Sequence, residues 1–151
     1  MLSYNNIFNK DTLNIFTDAS IGSLKNNNEV EKIGCYGYIL REENISKCYI
    51  ERCATNNSSE IKAVYMGIYA ALQFKDKYKT INLFSDSIVC INGLRSWIFN
   101  WVNNNNILYN SSKVPVANQN TFLAIVRLIL INNFHINLYH VKGHVNLQSP
   151  I

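Results

Sequence analysis

The sequence predicts an α/β domain: a mixed β-sheet with helices packed on it. Two observations predict it. Hydrophobic patterning along the chain runs strand, strand, strand, helix, strand, helix, helix, strand. Three strands in a meander followed by crossover units make a mixed sheet. The length of 151 residues fits a single domain that buries a core without disulfides or a structural metal. A hydrophobic share of 48% with only 16% charged residues excludes disorder as the main state.

The elements follow in order. Residues 13–17 (LNIFT) form a short apolar-leaning run, expected as a buried strand ending at Asp18. Residues 33–41 and 46–54 read as the second and third strands, with Glu42, Glu43 and Asn44 making the turn between them. Residues 59–75 have helical spacing, with Ile61, Val64, Tyr65, Ile68 and Leu72 on one face and Ser58 or Ser59 as the cap. Residues 80–85 (TINLFS) form a fourth strand ending at Asp86. Short helical pieces are expected over 87–102, and a helix over 119–132 with Phe122, Ile125, Leu128 and Ile129 on one stripe. Residues 134–141 alternate apolar and polar as a fifth strand. The asparagine runs 26–28 and 103–106 are expected loops, and no internal repeat or Pro/Gly linker divides the chain.

No run approaches the 18 apolar residues of a membrane span, and the first residues lack the apolar stretch of a secretory signal. An intracellular, cytoplasmic protein with no membrane partner is expected. Cys35, Cys48, Cys53 and Cys90 form no CxxC pair and no Cys-His spacing fits zinc, so buried free thiols are the expectation. All ten acids lie at or before Asp86. The 65 residues after it carry Arg95, Lys113, Arg127 and Lys142 and no acid. A basic half suggests a polyanion partner, although a solvated polar surface accounts for the same charges.

Asp18 and Asp86 each follow an apolar strand, in FTDAS and LFSDS, and Glu60 is expected in the first turn of the first long helix. Ligands collect at the carboxyl ends of adjacent parallel strands in open α/β sheets. If the first and fourth strands are parallel neighbours, the two aspartates stand side by side and the helix brings Glu60 to the same point. Clustered carboxylates repel one another, and a hard divalent cation relieves that. Two such ions can activate a water and stabilise the leaving oxygen of a phosphodiester. The competing interpretation is structural: an aspartate after a strand as a helix cap, and a glutamate favoured by a helix dipole.

Taken together, FTDAS at 16–20, TNNSSE at 55–60, FSDS at 84–87, INGLRSWIFNW at 91–101, VANQNTF at 116–122 and HVKGH at 140–144 resemble the ordered motifs of type 1 ribonuclease H, over roughly residues 12–146. The resemblance implies a five-stranded mixed sheet of order 3-2-1-4-5 with strand 2 antiparallel, flanked by helices. It also implies a metal-dependent endonuclease that hydrolyses the RNA strand of RNA/DNA hybrids, leaving 5′-phosphate and 3′-hydroxyl ends. By matching positions, Asp18, Glu60 and Asp86 would bind two Mg²⁺ ions, with Mn²⁺ as a substitute and Asp18 bridging both. His144 would assist proton transfer or product release. Thr55, Asn56, Asn57 and Asn118 fall where the family contacts the hybrid, although capping in an asparagine-rich chain accounts for them too. Short side chains that both donate and accept suit a test for 2′-hydroxyls in a shallow minor groove. Trp97 and Trp101 lie four apart on one helical face and read as core or as a stacking platform.

The sequence also departs from the family. Its fourth active-site carboxylate follows the HVKGH loop, whereas here VNLQSPI follows His144 and contains no acid. The expectation is one catalytic domain over residues 1–151, shortened at its C-terminus. The alternative is a catalytically impaired hybrid- or RNA-binding module. A third reading is another nuclease on the same fold, such as a resolvase or transposase core. Residues 101–113 occupy the place of a basic protrusion yet hold one lysine, Lys113. Weak hybrid affinity with a shallow salt dependence is expected from that.

Overall fold

The computed structural model describes residues 11–52, 54–103 and 118–142. Five strands form one sheet of order β3-β2-β1-β4-β5. They are β1 (Thr12–Asn26), β2 (Glu29–Leu40), β3 (Ile45–Arg52), β4 (Thr80–Ser85) and β5 (His135–His140). Strand β2 runs antiparallel to β1 and β3, whereas β4 is parallel to both β1 and β5. Three helices follow the third strand: α1 (Asn56–Ala71), α2 (Ile88–Asn103) and α3 (Gln119–Ile131). The expected sheet order and the antiparallel second strand are both present. Among the described residues no helix is long and apolar enough to cross a membrane.

The core lies between the helices and one face of the sheet. Leu13 and Ile15 of β1, Ile81 and Leu83 of β4, and Leu138 of β5 pack with Ile61, Val64 and Ile68 of α1 and with Phe122, Ile125 and Ile129 of α3. Gly67 lets α1 lie directly on β1, because a Cβ there would meet Ile15 Cγ2 at 2.9 Å. Gly34 does the same for the start of α1, since a Cβ would sit 2.1 Å from Ser59 Oγ.

The three parallel strands carry one five-residue pattern: TLNIF at 12–16, TINLF at 80–84 and HINLY at 135–139. Register pairs Asn14 with Asn82 and Asn82 with Asn137. Asn82 Nδ2 donates to Asn14 Oδ1 at 3.1 Å, and Asn137 Nδ2 donates to Asn82 Oδ1 at 3.0 Å. Asn14 finishes the ladder on Glu42, donating from its backbone N at 2.7 Å and from Nδ2 at 2.9 Å. One step along, Phe16, Phe84 and Tyr139 stack at centroid separations of 4.7 and 5.1 Å. Alternation puts these side chains on the face opposite α1. Buried amides are costly unless bonded, so the ladder tolerates only one register.

Four expectations need correction. Strand β1 continues past Asp18 to Asn26, because it pairs with β2 through a two-residue turn at Asn27 and Asn28, both at positive φ. Asparagine adopts that left-handed backbone more readily than other non-glycine residues. Helix α1 begins at Asn56, not 59, capped by Thr55 rather than Ser58 or Ser59. Thr55 Oγ1 accepts from Ser58 N and Ser58 Oγ accepts from Thr55 N, each at 3.0 Å. A single helix, α2, replaces the short pieces expected over 87–102. Finally, only Cys90 among the described cysteines is buried. Cys35 and Cys48 are exposed, because alternation turns them to the face away from α1. Cys53, Lys113 and His144 lie outside the described residues, as do the side chains of Asn56, Trp97 and Trp101.

Candidate active site

The site is built where the parallel pairing of β1 with β4 stops, midway along β1 and just past the end of β4. The last parallel pair between them is Phe16 with Phe84, so Asp18 and Asp86 each stand two residues beyond the same rung. Thr17 fixes that level by donating its hydroxyl to the Phe84 carbonyl oxygen at 3.1 Å. Asp18 Oδ1 accepts from Ala19 N at 2.9 Å. Its partner across β2 is Gly37, and the missing side chain there leaves a groove of about 400 Å³ lined by Asp18, Gly37, Ile39, Ser46, Cys35 and Cys48.

Asp86 leads into α2, but the cap hydrogen bond comes from Ser87, whose Oγ accepts from Cys90 N at 3.1 Å. Asp86 Oδ1 is buried with no hydrogen-bond partner among the described residues, although Asp86 itself makes a further interaction. His140 Nε2 lies 3.1 Å from the Asp86 carbonyl oxygen, so the end of β5 reaches the same edge. His144 is the histidine expected from the sequence, whereas His140 is the one described at this edge. Its position in HVKGH is the signal that could have drawn attention to it.

Glu60 stands beyond the first turn of α1, not within it as expected, because the helix starts three residues earlier. It faces the first turn of α2: the Cys90 thiol is pushed up to about 12, first by burial and then by the negative charge of Glu60. No helix follows Asp18, Ser87 supplies the cap bond beside Asp86, and Glu60 is outside the first turn, where the dipole acts most strongly. Asp18 and Asp86 share an edge of the sheet, with Asp18 on the face away from α1, whereas Glu60 stands on α1. Among the described residues no group of three or more His, Cys, Asp or Glu side chains is drawn together in metal-holding geometry.

Thr55 and Asn57 are exposed at the start of α1. Glu51 on β3 anchors this turn, accepting from Ser59 Oγ at 2.8 Å and from Ser58 Oγ at 3.3 Å and pairing with Lys62. Burial opposes the Glu51 charge, but the hydrogen bonds from Lys62 and Ser59 outweigh it and hold the carboxyl below its ordinary value. Asn118 sits at positive φ before α3, whose first turn faces Lys62, Tyr65 and Met66 across a cleft of about 350 Å³.

Residues 10–149 match the RNase H family model. The chain belongs to the ribonuclease H family. Ribonuclease HI of Haemophilus influenzae is 38% identical over 133 residues, covering 87% of this chain and 78% of that protein. Ribonuclease HI of Pasteurella multocida is 36% identical over the same shares. These relatives place the chain in the type 1 branch and make it a ribonuclease H, a hydrolase. Solved structures show the same fold at lower identity. The foamy virus protease–reverse transcriptase in complex with dsDNA superposes with a TM-score of 0.68 at 17% identity, covering 98% of this chain and 90% of that one. LC11-RNase H1 in complex with an RNA/DNA hybrid gives 0.56 at 13% identity, covering 91% and 90%.

Proposed function

We propose that this ribonuclease H hydrolyses the RNA strand of RNA/DNA hybrids at the edge marked by Asp18 and Asp86, in the cytoplasm. The carrying observation is the placement of these two carboxylates two residues beyond one rung of adjacent parallel strands. Their hard oxygens, with the buried Asp86 Oδ1 among them, suit Mg²⁺ or Mn²⁺. Asp18, Glu60 and Asp86 would hold the ions. Bound there, the ions would supply Lewis-acid activation of water and charge stabilisation at the phosphodiester.

The chain's own residues do the rest. Thr17 holds the two aspartates level. Glu51 and Thr55 hold the first turn of α1, which presents Asn57 to the minor groove of the hybrid. Asn56 and Asn118 are assigned to the same contact. His144 takes up or delivers a proton as the 3′-oxygen leaves, which yields 5′-phosphate and 3′-hydroxyl ends.

A second reading, a hybrid-binding module without cleavage, is favoured by one observation: the three acids are not gathered into a metal-holding group. Cleavage of an end-labelled hybrid in Mg²⁺ and in Mn²⁺ separates the two. Cleavage by the wild type that is lost in Asp18→Asn, with an unchanged melting temperature, is the expected result. Tight hybrid binding without cleavage in either metal would establish the second reading instead.

A further inference from the structure

The β1–β2 hairpin continues beyond the sheet. Pairing of β1 with β4 stops at Phe16 and pairing of β2 with β3 stops at Ile33, yet β1 and β2 remain paired out to Asn26 and Glu29. From Asp18 to the tip is eight residues, roughly 27 Å of strand. The hairpin therefore projects from the same edge that carries the candidate site.

Its two faces differ in charge. Partners in an antiparallel ladder share a face. Ser23 pairs with Lys32 and Lys25 with Val30, so both lysines fall on one face. The Lys32 Nζ to Ser23 Oγ bond at 3.1 Å bears this out. Leu24 and Glu31 share the other face, where Arg52 holds Glu31 in two bonds of 2.8 and 2.9 Å. Lys25 and Lys32 are exposed. The lysine face also continues the α1 side of the sheet. Ser59 packs over Gly34 on that side, and the next rungs outward are Ser23–Lys32 and Lys25–Val30.

We propose that this hairpin is a phosphate-gripping arm, with Lys25 and Lys32 contacting successive backbone phosphates of the bound nucleic acid beyond the start of α1. The inference rests on the proposed hybrid-binding function and assigns the electrostatic grip to residues outside the acidic edge. The opposite face, bearing Glu29 and the Arg52-held Glu31, points away from the polyanion.

The test is anisotropy of a labelled RNA/DNA hybrid, and of duplex DNA of the same sequence, titrated with the full chain in EDTA over a salt series. Each phosphate contact contributes about 0.7–0.9 to the slope of log affinity against log salt. The Lys25→Ala, Lys32→Ala double variant should lower the slope by about 1.5. Between about 50 and 200 mM salt it should then lose roughly tenfold less affinity than the wild type. Arginine at both positions should restore the slope. Lys75→Ala with Lys79→Ala, at the opposite end of the sheet, should leave it unchanged. A slope that is the same in wild type and double variant, or that falls equally in the control pair, would overturn the arm. Wild-type binding without preference for the hybrid, with the lysine effect intact on both duplexes, would remove the hybrid reading and keep the arm. No binding of either duplex would overturn both.

Discussion

The Thr17 hydroxyl donates to the Phe84 carbonyl oxygen at 3.1 Å, one residue before Asp18 on one strand and two before Asp86 on the next. This bond ties the two acid-bearing strands together where the parallel ladder stops. Exchanging Thr17 for valine keeps the volume nearly constant and removes the donor. The expected cost is about 1 kcal/mol of stability, seen in urea denaturation, with a larger loss in cleavage rate because the two carboxylates are no longer held level. A rate that falls no further than the stability change explains would show that the bond serves folding alone.

Asn82 is the middle rung of the amide ladder and bonds to a side chain on each neighbouring strand. Replacing it with leucine strands Asn14 Oδ1 and Asn137 Nδ2 in the sheet. Each abandoned group costs about 1–3 kcal/mol, so the melting temperature should fall by about 5–15 °C for a domain of this size. Thermal unfolding followed by far-UV circular dichroism reads this directly. Asn137→Leu, at the edge, should cost about half as much.

Glu51 predicts a pH effect. Its carboxyl titrates below the ordinary value when folded, so its stabilisation is full above the unfolded value of 4.5 and fades as pH falls through the lower folded value. The wild type should lose stability on acidification below about pH 4.5 more steeply than Glu51→Gln, and the two curves should converge at the acid end. Denaturant midpoints measured across that range check the sign. Parallel curves would show that Glu51 contributes no linkage.

Much of this was legible in the sequence. The bounds of β4 at 80–85 are legible because an apolar run ends sharply at a polar SDS. Asp18 and Asp86 could be placed because each closes such a run. The parts that were missed are set by partners distant in sequence. Residues 19–26 lack clean alternation, and only their pairing with β2 makes them strand. Asn56 and Asn57 look like a loop until the Thr55–Ser58 reciprocal bonds are seen. The asparagines at 14, 82 and 137 read as polar interruptions of apolar strands, although they are the rungs that set the register. Cys35 and Cys48 sit in apolar strands, but burial there depends on which face the helices cover.

The pairing of β1 with β4 also bears on how the molecule assembles. The β1–β2–β3 meander joins neighbours in sequence and can close early. The rung from Asn14 to Asn82 spans 68 residues and the rung from Asn82 to Asn137 spans 55. Such long-range parallel closures are slow, because the chain entropy is lost before the contact forms. The acidic edge comes into being only at that late step. During synthesis the chain can hold a folded meander, hairpin arm included, while the edge carrying Asp18 and Asp86 has not yet been assembled.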